Sequence, residues 1–517
     1  MGCRPVHADC RPRRSMALPA PGLPKDHNIA YGVVMAWSYD ALFIDGQWTK
    51  SDSGEWCDVV SAATEEVVGT VPQGCEADVD RAVAAARMAF EDPSGWSRWE
   101  PRARAEAISR LAEAIESSSD EFVRRVSTQN GMPVTIGRRT EGAVPAELLR
   151  YYAEVAPGLL AEDERPSRVT GTTVVRKEPA GVVAAIVPWN FPQSLTMFKL
   201  APALAAGCTV VLKPAPQTTV DALLLAEAIE EAGLPPGVVN IVTGEGRALG
   251  SHLVGHPGVD KVAFTGSTRT GREIAERCGR PLRPVTLELG GKSAGILLDD
   301  VDLARALKGL FSASLLNNGQ TCFISTRILA PRPRYDEVVD ALTAMVASLP
   351  VGDPLDPRTL IGPLASERQR RSVEAAIARG IAEGGRITTG GGRPPGFERG
   401  FFVEPTVFAG LDNSAVISRN EVFGPVLVVI PYDGDDDAVR VANDSAYGLG
   451  GTVWTSDPER GAAIARRVRT GSIGLNGFTL DPGAPFGGVK ASGLGRELGP
   501  EGLSAYTDLK SIYLPAR

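Results

Sequence analysis

The sequence of 517 residues predicts an α/β protein built on a parallel sheet. The first observation is a series of short apolar runs, separated by helical segments, at 182–187, 209–212, 238–242, 261–264 and 285–289. Uninterrupted apolar runs are typical of strands buried on both faces, and helices between them favour parallel order with right-handed crossovers. The second observation is the length, because a chain of this size exceeds one hydrophobic core and divides into two or three domains.

Two amphipathic helices come before these strands. Residues 79–90 repeat apolar side chains at helical spacing, and residues 101–116 do the same behind Pro101, which suits the first turn of a helix. We expect both helices to pack against the core and to carry no chemistry.

A second series of elements follows residue 322. It contains apolar runs at 327–330 and 426–430 and a helix near 335–348. Between them, the glycine-rich run 388–396 is predicted to be a surface loop.

Composition excludes several classes of function. The formal net charge is −8 and the sequence pI is about 5.4, which argues against a nucleic-acid partner. No apolar run reaches the roughly 20 residues that cross a bilayer. The 7 cysteines are scattered without a CxxC pair, and only 4 histidines accompany them. This predicts free thiols in the reducing cytoplasm, no membrane association and no metal site.

Residues 1–35 are rich in arginine and proline and contain no apolar core of a secretory signal. Their basic composition has a faint likeness to a transit peptide, although the prolines oppose an amphipathic helix. Met16 or Met35 are alternative starts. We expect this stretch to be disordered and to have no part in function.

Cys322 has surroundings unlike those of the other cysteines. It follows Asn317, Asn318, Gly319, Gln320 and Thr321, which offer no apolar packing. Cysteine is by default a small apolar side chain that fills space. Glycine and amide residues instead allow backbone donors to face an open cavity.

Chemically suggestive residues follow the predicted strands and the later turns. Asn190 stands at the tip of "VPWNFP", and Glu288 precedes two glycines in "LELGGKS". The run "GEGRALG" (244–250) resembles a dinucleotide loop but spaces its last glycines one residue wider than usual. The run "NEVFGP" (420–425) is the fourth of these motifs. Taken alone, each of the four is equally explained as an ordinary turn or cap.

Taken together and in order, the motifs resemble the aldehyde dehydrogenase family. The resemblance rests on "PWNFP", "KPA", "FTGS", "ELGGKS", "GQTC", "EVFGP" and "PFGGVKASGLGRE", and it runs from about Phe43 to the C-terminus. It implies oxidation of an aldehyde to a carboxylic acid with NAD, or with NADP, through a thiohemiacetal and a thioester. It also implies a Rossmann-like coenzyme domain, an α/β catalytic domain and a small β oligomerisation element.

The resemblance assigns three catalytic residues. Cys322 is the nucleophile, and Gly319 and Gln320 are expected to leave the backbone free around its sulfur. Asn190 and the backbone N–H of Cys322 would stabilise the oxyanion. Glu288 would activate water to hydrolyse the thioester, which makes the chain resemble hydrolytic members rather than those that release acyl-CoA.

The resemblance also assigns the coenzyme contacts. Lys213 would bind the adenosine ribose, Gly246 and Gly250 would form the pyrophosphate turn, and Glu421 with Phe423 would hold the nicotinamide ribose. Pro216 occupies a position where NAD-preferring relatives often have a glutamate that repels a 2′-phosphate, so NAD is expected and NADP is allowed. The remaining predicted contacts are Ile186, Val187, Pro188, Trp189, Phe264, Thr265, Gly266, Ser267, Leu289 and Gly290.

The domain boundaries follow the same resemblance. Residues 36–164 and 179–289 would form the coenzyme domain, and 290–491 the catalytic domain. The segments 165–178 and 492–517 would bridge subunits of a homodimer or homotetramer, since a long unpaired edge strand invites a partner.

Two other functions compete with this interpretation. A cysteine hydrolase needs a histidine beside the thiol, and after residue 30 only His252 and His256 are available. A protein that has lost catalysis should have lost Cys322, Glu288 or Asn190, and all three are present. The predicted substrate is an aldehyde without strong negative charge, because the expected pocket residues are Phe191, Met197, Thr321, Phe323 and Phe478.

Overall fold

The computed structural model describes residues 37–515. The prediction for residues 1–35 lies outside the described residues. Within 37–515 no helix has the length and apolar character needed to cross a membrane. In the same range, no group of three or more His, Cys, Asp or Glu side chains has the arrangement of a metal site. The five cysteines of this part of the chain are free thiols.

The five predicted runs form the parallel centre of an eight-stranded sheet, which confirms them. Their side chains are almost all buried, as expected for strands covered by helices on both faces. A hairpin closes one side of the sheet and a short antiparallel strand the other. The strands in order across the sheet are Gly493–Leu494, Val285–Glu288, Lys261–Thr265, Val182–Ile186, Thr209–Lys213, Val239–Ile241, Leu42–Ile44 and Gln47–Thr49.

Helices cover this sheet, and the two predicted early helices are confirmed. The helix predicted at 79–90 spans Glu76–Glu91, and the one predicted at 101–116 spans Pro101–Ser117. A six-residue π-helical segment, Arg138–Ala143, interrupts the helical region between them and the sheet. The other helices of this part are Ser119–Asn130, Val134–Gly137, Val144–Leu159, Pro192–Ala206, Val220–Ala232, Arg247–Gly255, Thr268–Gly279 and Gly499–Ser504.

A seven-stranded sheet is built from the residues between 293 and 475, and it is parallel except at one edge. The predicted helix near 335–348 is confirmed as Tyr335–Ala347, and the run 426–430 is confirmed within Val426–Tyr432. The strands in order are Arg386–Thr389, Thr406–Ala409, Val426–Tyr432, Ser325–Pro331, Ser293–Leu297, Gly451–Trp454 and Gly474–Leu475. The helices are Leu303–Ser314, Tyr335–Ala347, Glu367–Ala382, Val416–Arg419, Gly434–Asn443 and Pro458–Ala465.

The predicted loop 388–396 begins two residues too early. Thr388 and Thr389 end an edge strand that pairs antiparallel with Thr406–Ala409. β-branched threonines fit a pleated strand, and this propensity outweighed the glycines that follow them.

Two three-stranded sheets complete the described chain. One contains Trp37–Ser38, Val67–Pro72 and Trp56–Val60. The other joins the two segments predicted to bridge subunits, because Thr507–Leu514 pairs antiparallel with Thr172–Pro179 along its whole length. Asp163–Pro166 forms the third strand.

Candidate active site

Residues predicted for the site lie together at one edge of the eight-stranded sheet. In the strand register, Ile186 lies beside Lys213 on one side and beside Phe264 on the other. Thr265 lies beside Glu288 and continues the row. All five are at the carboxyl ends of parallel strands, where ligands bind in open α/β sheets.

The turn after Val182–Ile186 connects this edge to the segment before Cys322. Asn190 is 3% exposed, and its side-chain Nδ2 donates to the backbone carbonyl of Gln320 at 2.9 Å. The backbone carbonyl of Asn190 accepts from Asn317 Nδ2 at 2.8 Å. Two hydrogen bonds in opposite directions therefore fix the turn against the cysteine segment.

The cysteine segment turns sharply before the sulfur. Asn317, Asn318 and Gly319 all have positive φ, at 51°, 60° and 74°. Asparagine and glycine adopt this region more readily than other residues. At Gly319 a side chain is also excluded, since a Cβ there would lie 2.1 Å from the carbonyl oxygen of Gly424. The small and amide residues are thus required by the backbone.

The sequence suggested that the backbone around the sulfur is left free. It is instead held by hydrogen bonds. Asn318 Nδ2 donates to the carbonyls of Gly131 and Pro363, at 2.8 and 2.9 Å. Gln320 Oε1 accepts the backbone N–H of Ala365 at 3.0 Å. These buried amides replace apolar packing, and each is satisfied through the bonds that hold the segment rigid.

Two consecutive glycines bring three motifs into contact. A Cβ on Gly290 would lie 2.3 Å from Glu421 Oε2, and a Cβ on Gly291 would lie 2.3 Å from the carbonyl oxygen of Cys322. The backbone N–H of Gly291 also donates to Glu421 Oε1 at 3.0 Å. The two glycines after Glu288 and Leu289 are therefore needed for close approach on both sides.

Cys322 is partly buried, and its sulfur is in an environment that disfavours negative charge. Burial raises the pKa of the Cys322 thiol well above its ordinary value, and the carboxylates of Glu421 and Glu288 raise it further. The resting sulfur is a neutral thiol near neutral pH. It must lose its proton to a base before it can act as a nucleophile.

Glu288 is 3% exposed, and neither of its carboxyl oxygens has a hydrogen-bond partner among the described residues. Burial raises its pKa well above the ordinary value, Glu497 raises it further, and Lys199 and Arg496 oppose the shift. A Cβ on Gly487 would lie 2.5 Å from Glu288 Oε1, so the late glycines also make room for this group. Such a carboxylate is more basic than that of an exposed glutamate and is suited to accept a proton.

A buried ion pair beside Glu288 was not predicted from the sequence. Lys199 Nζ contacts Glu497 Oε1 at 2.8 Å and Thr265 Oγ1 at 2.6 Å, and the two charged side chains are 0% and 1% exposed. One signal was available, because Lys199 is the only charged residue in the otherwise uncharged helix Pro192–Ala206.

A cavity of about 590 Å³ opens next to the sheet edge. It contains five of the predicted coenzyme residues and three arginines, Arg247, Arg277 and Arg280. Gly246, with φ of 86°, comes directly before the helix Arg247–Gly255, whose first N–H groups are suited to bind a phosphate. The predicted residues that line the cavity are Ile186, Lys213, Gly246, Gly250 and Phe264.

The chemistry of this cavity fits a dinucleotide. Lys213 is 7% exposed and hydrogen-bonds only to the backbone carbonyls of Pro214 and Gly244. Burial lowers its pKa to about 8. The ammonium group of Lys213 therefore has an N–H donor to spare, and it lies near the start of the helix Arg247–Gly255. Such a group can bind the hydroxyls and phosphates of a dinucleotide. Pro216 lies half-buried in the following turn and does not line the cavity.

Two aromatic residues that flank strands of the two large sheets contact each other. The rings of Trp189 and Phe423 are 5.4 Å apart and nearly perpendicular, at 84°. Phe423 has a φ of 56°, an uncommon conformation for a bulky residue that is often found at functional sites. Glu421, two residues earlier, is directed at the two glycines described above.

The other predicted coenzyme residues have mixed surroundings. Ser267 Oγ caps the helix Thr268–Gly279, and Gly266 N–H donates to the carbonyl of Glu288 at 3.0 Å. Leu289 is buried against Gly271, so its side chain packs on that helix. Val187 is buried and Pro188 half-buried in the turn that leads to Asn190.

An aromatic cluster begins at the residue after the cysteine. The ring of Phe323 stacks on that of Phe478 with centroids 4.6 Å apart, and Phe486 packs at right angles to Phe323. Thr321, directly before Cys322, and Phe191, directly after Asn190, are both buried, whereas Met197 is wholly buried at 0% exposure. Met197 was predicted to line the pocket, but the helix that carries it is buried on every side.

The two histidines that a cysteine hydrolase would need are engaged elsewhere. His252 Nε2 lies 2.6 Å from Asp80 Oδ1, and His256 Nε2 lies 3.4 Å from the same oxygen. Both therefore belong to a contact with the helix Glu76–Glu91.

Fold and site together define an α/β protein with two large sheets, in which a cavity suited to a dinucleotide lies at the same strand ends as the buried carboxyl of Glu288. The family model described as "Aldehyde dehydrogenase family" matches residues 48–512. The chain belongs to the aldehyde dehydrogenase family and is an NAD(P)-dependent aldehyde dehydrogenase, as the resemblance predicted.

Three similar proteins illustrate the relationship. Geranial dehydrogenase from Castellaniella defragrans is 54% identical over 93% of this chain and 100% of its own length. An aldehyde dehydrogenase of Mycobacterium tuberculosis, solved in complex with NAD+, is 48% identical over 93% of this chain and 99% of that chain, with a TM-score of 0.91. A mutant of aldehyde dehydrogenase C from Pseudomonas syringae, solved with NAD+ and octanal, is 42% identical over 92% of this chain and 96% of that chain, with a TM-score of 0.86.

Proposed function

We propose that the enzyme oxidises an apolar aldehyde to its carboxylic acid through a covalent adduct on Cys322 and then hydrolyses that adduct. The observation that carries the proposal is the pair of hydrogen bonds between the Asn190 turn and the segment before Cys322. They hold an amide donor close to the backbone that carries the nucleophile.

The first step is attack by sulfur. A base, Glu288 directly or through water, takes the thiol proton, and the Cys322 sulfur bonds to the aldehyde carbon. The carbonyl oxygen becomes an oxyanion, for which the second N–H of the Asn190 amide and the backbone N–H of Cys322 are the donors. When bound, NAD+ accepts a hydride from that carbon. The oxyanion re-forms a carbonyl and leaves a thioester on Cys322.

The second step is hydrolysis. Glu288 first releases the thiol proton to solvent, and it then takes a proton from water, whose oxygen bonds to the thioester carbon. The carbon–sulfur bond then breaks, the carboxylic acid leaves, and the sulfur is protonated again. The sum is aldehyde, NAD+ and water converted to acid, NADH and a proton.

The residues that would hold the coenzyme are those of the cavity and its continuation. Lys213 would bind the adenosine ribose, and Gly246 with Gly250 would leave room for the pyrophosphate. Glu421 would accept hydrogen bonds from the nicotinamide ribose, with Phe423 supporting it. The arginines at the cavity and the proline at position 216 permit NADP as well.

The proposed substrate is an apolar aldehyde of medium length. Phe323, Phe478 and Phe486 form an uncharged aromatic cluster at the residue after the nucleophile. One similar protein is named geranial dehydrogenase, and another was solved in complex with octanal. Both geranial and octanal are aldehydes of this kind. Geranial and octanal are therefore the first aldehydes to test.

A homodimer or homotetramer is part of the proposal. Thr507–Leu514 is an edge strand, and Leu509 and Tyr513 on it are 70% and 80% exposed. Such an apolar edge is suited to pair with a partner chain. Light scattering of the purified protein would give the number of subunits. The division into domains and a cytoplasmic location also stay predictions.

One experiment tests the function. Purified enzyme with NAD+ and geranial or octanal should form NADH and the corresponding acid, and in water labelled with heavy oxygen the acid should gain one labelled atom. NADH formation without a labelled acid would mean that water does not release the product.

A further inference from the structure

Lys292 is a buried charged residue that the mechanism above does not use. It follows Gly290 and Gly291 directly, is 2% exposed, and its Nζ has no hydrogen-bond partner among the described residues. A buried ammonium without partners is costly to maintain and rare in folded proteins. Its position next to the glycines that contact Glu421 suggests what maintains it.

The backbone of Lys292 is held in place from the opposite side. Arg327, also 2% exposed, donates from Nε to the carbonyl of Lys292 at 3.0 Å. Its other groups donate to Asn413 Oδ1 and to the carbonyls of Val441 and Ala442. Four of the five N–H donors of the guanidinium are thus used by these acceptors, whereas the ammonium group of Lys292 has no acceptor among the described residues.

Glu421 is the anion next to this lysine. Its Oε1 accepts the N–H of Gly291, and Oε2 lies against Gly290, one and two residues before Lys292. Burial raises the pKa of Glu421 to about 7, and the charge of Lys292 opposes that shift. Conversely, burial and the charge of Arg327 lower the pKa of Lys292 to about 7, and Glu421 opposes this.

The other titratable groups near Glu421 do not supply positive charge. Cys322 and Tyr447 both have a pKa raised by burial and by the Glu421 carboxylate, so each is neutral near pH 7. The N–H of Gly291 and the charge of Lys292 are consequently the two influences that favour the ionised form of Glu421, and Lys292 is the one that supplies a positive charge.

We propose that Lys292 is a positioning residue that keeps Glu421 ionised, so that Glu421 can accept hydrogen bonds from the nicotinamide ribose. This rests on the role of Glu421 in the proposed function. The carboxylate accepts two hydroxyl hydrogen bonds only when it is ionised, since a protonated carboxyl loses acceptor capacity and gains a donor.

The test is equilibrium binding of NAD+ to the full-length enzyme by isothermal titration calorimetry. Lys292→Met keeps the length and burial of the side chain but removes the charge. If the pKa of Glu421 rises by about one unit, its ionised fraction at about pH 7 falls about fivefold, and Kd for NAD+ should rise by the same factor. Near pH 9 the difference from wild type should almost vanish, because Glu421 is then ionised in both proteins and Lys292 is neutral.

Three further variants complete the design. Lys292→Arg should keep the affinity of wild type near pH 7. Lys261→Met is the matched control. It removes an equally buried lysine from the amino end of the strand Lys261–Thr265, whereas the coenzyme residues lie at the carboxyl end, and it should leave NAD+ binding unchanged. Glu421→Gln should weaken NAD+ binding, and adding Lys292→Met to it should have no further effect.

The outcomes separate the two proposals. If Glu421→Gln weakens binding but Lys292→Met does not, the role of Lys292 is overturned and that of Glu421 stands. If Lys292→Met weakens NAD+ binding by the same factor in wild type and in Glu421→Gln, the role of Lys292 is also overturned, because the lysine then acts on binding independently of Glu421. If Glu421→Gln binds NAD+ like wild type, both assignments are wrong.

Discussion

The side-chain amide of Asn190 donates a 2.9 Å hydrogen bond to the carbonyl of Gln320, two residues before Cys322. Asn190 belongs to a turn of the eight-stranded sheet, and Cys322 directly precedes the seven-stranded one. This bond, with the one from Asn317 Nδ2 to the carbonyl of Asn190, fixes the position of the proposed oxyanion donor relative to the proposed nucleophile.

Asn190→Ala is predicted to lower kcat/KM on the order of 10²–10³-fold, because it removes a donor to the oxyanion. The matched control is Asn240→Ala, an equally buried asparagine whose partners are Asp45, Val210 and Gly237. Steady-state kinetics and thermal unfolding of both variants check this. An Asn190 variant with more than about a tenth of wild-type activity would remove Asn190 from the mechanism.

Cys322→Ala is predicted to abolish NADH formation while the fold remains intact. Alanine at Cys57, Cys75, Cys208 or Cys278 should leave turnover in place. Cys208 is the closest control, since it is 0% exposed and its sulfur donates a hydrogen bond to the backbone carbonyl of Tyr506. The measurement is NADH formation by each variant at equal concentration. Normal turnover by the Cys322 variant would refute the nucleophile.

The ion pair beside Glu288 predicts shifts of opposite sign in the pH profile. Glu497→Gln removes a negative charge that raises the pKa of Glu288, so the acid limb of kcat should move to lower pH. Lys199→Met removes a positive charge that lowers that pKa, and the limb should move to higher pH. Profiles of kcat against pH for the two variants and wild type decide the matter. Shifts of the same sign would show that the pair acts only on folding.

NADP is predicted to support measurable turnover. Pro216→Glu would place a carboxylate near the 2′-phosphate and should lower kcat/KM for NADP at least about tenfold while largely sparing NAD. Arg247→Ala should also lower kcat/KM for NADP. Arg247 lines the cavity, and its one ion pair among the described residues, with Glu273, is long at 3.8 Å. Kinetics with both coenzymes provide the measurement. No turnover with millimolar NADP would contradict the interpretation of position 216.

The parallel strands could be predicted because their apolar runs are uninterrupted, and strands buried on both faces need no alternation to be recognised. The candidate site residues could be assigned because their motifs, taken together and in order, resemble those of the aldehyde dehydrogenase family. The Lys199–Glu497 pair could not, since its members are 298 residues apart and neither lies in a motif that specifies the other. The hydrogen bonds of the Asn318 and Gln320 side chains were also hidden, because their partners come from two other segments of the chain, at Gly131 and at 363–365.

The most direct test of the central claim uses Glu288→Gln with NAD+ and an apolar aldehyde. We predict a burst of NADH of up to one equivalent per competent site, followed by a kcat reduced on the order of 10²–10⁴-fold. Because Glu288 also takes the thiol proton in the proposed mechanism, the burst should be slower than in wild type, and a higher pH should restore it, since the pKa of Cys322 is raised. Mass spectrometry of the quenched enzyme should find the acyl group on the peptide that contains Cys322. Unchanged steady-state turnover, or a burst without acylated Cys322, would contradict the mechanism.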